Sequence, residues 1–227
     1  MKKIILSIII LFSIISYAAS HIEHYKMYNY LEYELFRNNK SIGFHKYEFD
    51  RKGDNLTVES EVKFNISKLG VNLYEYFAKS DEIIKNNKFF KFSAKTNQNK
   101  KQKFVDIVVD PLDKDLVING SSFQGKTSKK HIVGTWWNHE IINAKAQISA
   151  ISGRIIEQKV TFVGKDQITI GDKTYNALHF NFKSSDTSLP ENKKLNTDIW
   201  YEEGTYLWLK ATFNKRGFWE YRLKTYK

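Results

Sequence analysis

The chain has 227 residues, a formal net charge of +11, 15% aromatic residues and no cysteine. Without cysteine there is no disulfide framework, no thiolate metal site and no thiol nucleophile, so packing and strand pairing must hold the fold. Of 36 basic residues 31 are lysine, whereas flat, two-pronged phosphate recognition favours arginine. The charge therefore reads as compositional: no nucleic-acid partner is expected, and a weak attraction to anionic membrane surfaces is what remains.

In chain order, Lys2 and Lys3 precede an apolar run from Ile4 to Ile15, and the small residues Ser16, Ala18 and Ala19 follow. That order is the one found in secretory signal peptides. The run falls short of the roughly 20 residues a bilayer core requires. Residues 1–18 are thus expected to be a cleaved signal peptide, residues 19–227 a single β domain, and the location periplasmic or secreted.

The clearest strand runs from Leu56 to Ile66. Leu56, Val58, Val62, Phe64 and Ile66 point one way, with Ser60 the polar member of that face, and Thr57, Glu59, Glu61, Lys63 and Asn65 point the other. Alternation with a period of two marks a strand with one dry and one wet face. Leu31–Leu35, Val105–Val109, Leu178–Phe182, Leu207–Phe213 and Trp219–Leu223 alternate likewise. Turn signals separate these runs, among them Asn38-Asn39, Gly53-Asp54, Asn86-Asn87, Gly171-Asp172 and Gly204. Such spacing, without intervening helical patterns, indicates antiparallel hairpins in series. The expected fold is all-β: one long, curved antiparallel meander of roughly eleven strands, closing into a spiral, half-barrel or barrel because so many strands do not stay flat.

One stretch departs from this pattern. GTWWNHEIINAKAQISAISG (134–153) carries Ile141, Ala144, Ile148 and Ile151 at helical spacing, Asn138 as a cap, Glu140 in the first turn, and Gly153 as a left-handed stop. The spacing predicts one short central helix over 137–151, with a strand over Gln147–Ile151 as the alternative. Such a helix either plugs the hollow of the curved sheet or closes a ligand cavity as a lid. Trp136, Trp137, Ile141 and Ile148 are the candidate ligand-binding residues.

Catalytic and metal signatures fail on inspection. His139-Glu140 lacks the second histidine of a zinc protease, since Asn143 stands there. His21 and His24 are the only closely spaced histidines and fall in a polar N-terminal segment. GSSFQG (120–125) has Gln124 where a nucleophile elbow needs glycine. Asp198, Glu202 and Glu203 flank Trp200 and Tyr201, a composition compatible with sugar binding. No catalytic residue, metal or cofactor is expected; a carbohydrate-active enzyme using Glu202 or Asp198 is the least favoured reading.

KSIGFHKYEF (40–49), LYEYFAKSDEIIKNNKFFKFSAKTNQNKKQKFVDI (73–107), Gly153 and DIWYEEGTYLWLKATFNKRGFWEYRL (198–223) resemble the opening hairpin, central hairpin and tail of a family of exported bacterial proteins of unknown function. That family is related to periplasmic β-spiral cell-envelope proteins that resemble lipoprotein carriers. The resemblance implies a non-enzymatic envelope protein whose concave apolar surface takes a lipid or acylated peptide. A filled core that meets an envelope protein through an exposed edge strand is the alternative. Asn87-Lys88 and Asn99-Lys100 depart from the resemblance, which implies glycine-containing turns there.

Overall fold

The computed structural model describes residues 23–227; the expected signal peptide and His21 lie outside them. Fifteen strands follow a 3-10 turn at Glu23–Tyr25: β1 (Tyr30–Arg37), β2 (Lys40–Lys52), β3 (Asn55–Lys68), β4 (Val71–Lys85), β5 (Lys88–Gln98), β6 (Lys101–Val109), β7 (Leu116–Gly120), β8 (Gln124–Thr127), β9 (Ile132–Val133), β10 (Ala146–Ile148), β11 (Ile155–Ile170), β12 (Lys173–Ser184), β13 (Asn196–Glu202), β14 (Trp208–Asn214) and β15 (Phe218–Tyr226). They form one sheet in the order β8-β7-β6-β5-β4-β3-β2-β1-β15-β14-β13-β12-β11-β10-β9. The all-β curved meander is therefore present, with the first and last strands paired in its middle.

The two outermost strands, β8 and β9, are joined by residues 128–131 alone. Laid flat, fifteen strands about 4.8 Å apart would hold them roughly 67 Å from each other, and this link reaches about 17 Å. The sheet must roll up. It closes as a spiral rather than by a ladder: Val133 of β9 and Ile148 of β10 pack with Phe92, Val105, Ile107 and Ile118 of the opposite wall in a small second core.

Tight turns make the series of hairpins. Asn38-Asn39, Asn86-Asn87 and Asn99-Lys100 all take positive φ at both positions (49° and 62°, 49° and 58°, 49° and 69°), as the twist of type I′ hairpins demands. Asparagine tolerates this conformation by bonding locally, so two of these turns form without the glycine that the resemblance implied. In β3 the expected dry face is correct, with Leu56, Val58 and Phe64 buried. Ser60, its polar member, lies 2.9 Å from Nε2 of His45 on β2.

The helix expected over 137–151 does not form. Asn138 caps as foreseen, its side chain accepting from the Glu140 amide, but only His139–Asn143 is helical, as a 3-10 turn. Residues 146–148 are strand β10, close to the alternative reading. Two physical reasons account for this. Gln158 of β11 donates from Nε2 to the carbonyls of Ile141 (3.0 Å) and Ala144 (3.1 Å), which a continuing helix would use internally. In addition, β10 is buried on both faces, so it lacks alternation and cannot be told from a helix by periodicity.

The same stretch corrects a second expectation. β9 and β10 pair parallel, not antiparallel like every other pair of the sheet. Parallel neighbours need a crossover of about a dozen residues, and 134–145 supplies it. The Trp-Trp segment is that crossover.

Candidate functional site

The crossover runs through the hollow of the rolled sheet and is pinned there by polar contacts. The Tyr47 hydroxyl donates to the Thr135 carbonyl and the Tyr201 hydroxyl to the Trp136 carbonyl (2.9 Å). Trp137 Nε1 donates to Glu82 Oε2 of β4 at 3.0 Å. Trp136 sits at φ 61°, inside a tight turn closed by the Trp137 amide on the Thr135 carbonyl at 2.8 Å. Left-handed backbone is costly for a bulky residue and persists where surroundings over-determine it. Here the two tyrosine hydroxyls do so.

This pinning sends the two adjacent tryptophans to different places. Trp137 is buried in the main core, edge-on to Tyr25 and Phe49 with centroids 5.6 Å away in each case. Trp136 is partly buried, edge-on to Trp208 (5.4 Å) and Tyr221 (5.6 Å). Ile141 joins Trp137 in the main core, whereas Ile148 belongs to the second core. The four residues singled out from sequence thus do not converge on one site.

Two cavities flank the crossover, reached in succession along β4. Ser80 faces the first, Glu82 is bonded to Trp137 at the partition, and Ile84 lines the second. The first holds about 170 Å³ and is lined by His45, Ser60, Thr96, Thr135, Trp136 and Tyr221 among others. Burial drives the His45 pKa down to about 3, so its imidazole is neutral. The second cavity is an open groove of about 870 Å³. Its apolar lining comes mainly from Ile84, Phe89, Val109, Leu116, Ile132 and Val133, with Ala144 of the crossover beside them. Lys88, Lys114, Lys129 and Lys130 line it too, with Glu82 and Glu140 on the side of the crossover. The 3-10 turn contributes Glu140 and Asn143.

None of the four sequence candidates lines this groove. Its residues come from the ends of β4, β5, β6, β7 and β9, from the β8–β9 link and from the crossover, distant in sequence and unremarkable one at a time. Lys129-Lys130-His131 was the one local signal: a basic run in a link too short to point elsewhere.

The acidic residues suggested for sugar chemistry are engaged otherwise. Asp198 Oδ1 lies 2.9 Å from His179 Nε2 and accepts from Asn181 at 3.0 Å. Glu202 accepts from the Thr205 hydroxyl. His179 stacks on Trp200 at 4.2 Å, on the outer wall. His24 packs edge-on to His139 at 4.9 Å. Among the described residues no group of three or more His, Cys, Asp or Glu is arranged to hold a metal ion.

A rolled antiparallel sheet with a crossover through its hollow defines a β-barrel-like protein. The chain belongs to the family described as domain of unknown function DUF6134, whose model matches residues 33–224. It is also similar to the crystal structure of a β-barrel-like protein of domain of unknown function DUF1849 from Brucella abortus. The TM-score is 0.60 at 11% identity, covering 87% of this chain and 96% of that one. At such identity the likeness concerns the fold. No curated protein matches the sequence.

Proposed function

We propose that the protein is an exported, non-enzymatic cell-envelope protein that binds the acyl chain of a lipid or acylated peptide in the 870 Å³ groove beside the crossover. The groove's size and make-up carry this reading. Ligand pockets usually hold about 300–1,000 Å³ and combine apolar walls with a few polar groups that fix orientation. Six apolar side chains offer a bed for a hydrocarbon chain, and four lysines suit a carboxylate or phosphate at its head. The inner cavity is too small for that role. Its 170 Å³ is what remains after Tyr33, Tyr47, Trp137, Trp208 and Tyr201 have filled the hollow. On this reading the crossover is a fixed wall of the groove, with Trp137 and Ile141 as structural core.

Titration with a fluorescent fatty acid tests the reading. Wild-type protein should give saturable binding at micromolar concentration. Ile132→Trp, which fills the groove, should abolish it while leaving the unfolding midpoint near wild type. Equal binding by both proteins, or none by either, would refute the groove as the site.

A further inference from the structure

The antiparallel meander dictates which turns share an end of the roll. The β1–β2, β3–β4, β5–β6 and β14–β15 turns lie at one end; the β2–β3, β6–β7, β11–β12 and β13–β14 connections lie at the other. Residues 37–41, 67–72, 97–102 and 214–218 contain no carboxylate but supply Lys40, Lys68, Lys100, Lys101, Lys215 and Arg216, all exposed. The longer β12–β13 connection at the same end adds Asp186 and Glu191 together with Lys193 and Lys194, and Arg154 precedes β11, so a positive excess remains there. The opposite end is mixed, with Asp54, Asp113, Asp172 and Glu203 in its connections. The crowding of cations is electrostatically visible. Partial desolvation of the ammonium end of this otherwise exposed side chain, and then the charges of Arg154, Lys103 and Arg216, hold Lys215 below its usual range. Lys215 and Arg216 share the β14–β15 turn, Lys103 is on β6 and Arg154 lies just before β11, so cations from three separate parts of the chain come close together at this end.

From this basic end one hairpin projects. β3 leaves β2 after the pair Gly43–Phe64, and β4 meets β5 only from the pair Tyr76–Gln98 onward. Residues 65–68 and 71–75 therefore pair within the sheet with each other alone, a finger reaching about 13 Å past its neighbours. Its tip is apolar and out in solvent: Leu69 is 94% exposed, Val71 60% and Leu73 54%. Leu69 also takes φ 51° beside Gly70 at 76°. A bulky apolar side chain is thus both strained and hydrated at one position, two costs with no return inside the isolated fold.

We propose that this end of the barrel docks on an anionic lipid bilayer, with Leu69, Val71 and Leu73 entering the interfacial layer and the surrounding lysines and arginine meeting the headgroups. Charge selects this occupant over a second copy of the chain, because two such ends would bring like charges together. The combination is the one that binds peripheral proteins to membranes: an apolar wedge sinking about 5–10 Å, helped by cations. Each cation near an anionic leaflet adds about fivefold in affinity, and salt screens the contribution. The docking end is opposite the groove's lysines, so it does not depend on the acyl-binding reading.

Sedimentation with vesicles tests it, using processed wild-type protein and vesicles of phosphatidylglycerol and phosphatidylcholine against phosphatidylcholine alone. Wild type should bind the anionic vesicles at least tenfold better, with binding falling as salt rises. Leu69→Asp with Val71→Asp should lose tenfold or more without change in unfolding midpoint, since both side chains are exposed. Lys100→Glu with Lys101→Glu should lose a similar factor, and Lys52→Glu with Lys173→Glu at the opposite end should lose little. Leu69→Trp should show a blue-shifted emission on anionic vesicles. The proposal is overturned if wild type ignores anionic vesicles, if the aspartate pair binds normally, or if opposite-end reversals cost as much. A dimer in solution that Leu69→Asp converts to monomer would assign the finger to a second copy instead and overturn it equally.

Discussion

His45 and Gly153 show how much single residues fix here. Buried, and held neutral with a pKa near 3, His45 titrates near 6.5 once the chain unfolds. Between those values the unfolded chain binds a proton that the folded one refuses, so stability is fully present above about pH 6.5 and is lost as pH falls. From pH 7 to pH 5 the loss should be about 2 kcal/mol, above the range where carboxylates titrate. Urea midpoints should show this fall in wild type and a shallower one in His45→Gln; equal slopes would deny the histidine its role. Gly153 has φ 77°, and a Cβ there would meet Ile118 at 2.8 Å and Val105 at 3.2 Å. Gly171, at φ 58°, has nothing within 4 Å. Gly153→Ala should therefore cost about 2–4 kcal/mol, from strain plus crowding at the spiral's seam, and Gly171→Ala only about 1 kcal/mol. Unfolding curves for the pair measure the difference.

At the level of elements, the hairpins were legible in the sequence and the crossover was not. Period-two alternation identifies β3 without help, since one face meets the core and the other water. The same logic fails at β10, where Ala146, Gln147 and Ile148 are all buried. Its Ile148 then falls into apparent register with Ile141 and Ala144. What decides the outcome is Gln158, remote in sequence, which takes the carbonyls of Ile141 and Ala144 while accepting from Gln147 Nε2 at 2.6 Å. No local reading of 134–153 contains that information. Gln158→Leu leaves these buried groups without their partner and should destabilise by about 2–4 kcal/mol. A urea midpoint near wild type would show that the crossover is held by packing instead.

Across the whole molecule, the number of strands foretold a closed sheet. Where the groove would open did not follow. Its walls are strand ends and the crossover, brought together by closure, and closure depends on which strands end up at the edges. Pairing β1 with β15 puts β8 and β9 there, and the short link between them draws the basic run 129–131 to the mouth of the groove. Trp136, Trp137, Ile141 and Ile148 would share one site only if the segment bearing them were a helix facing one hollow. With a crossover and β10 there instead, those four side chains divide between the inner cavity and two cores, and the groove takes Asn138, Glu140, Asn143 and Ala144 from the same segment. The acyl-binding proposal therefore stands on Ile132 and its neighbours, not on the tryptophans.

Native mass spectrometry of protein purified from the cell envelope, before and after organic extraction, bears on that proposal most directly. The expected result is a wild-type species carrying an extra mass in the range of a lipid or acylated peptide, removed by extraction and absent from Ile132→Trp. Bare polypeptide mass in wild type, with no uptake when fatty acid or lipopeptide is added back, would contradict it.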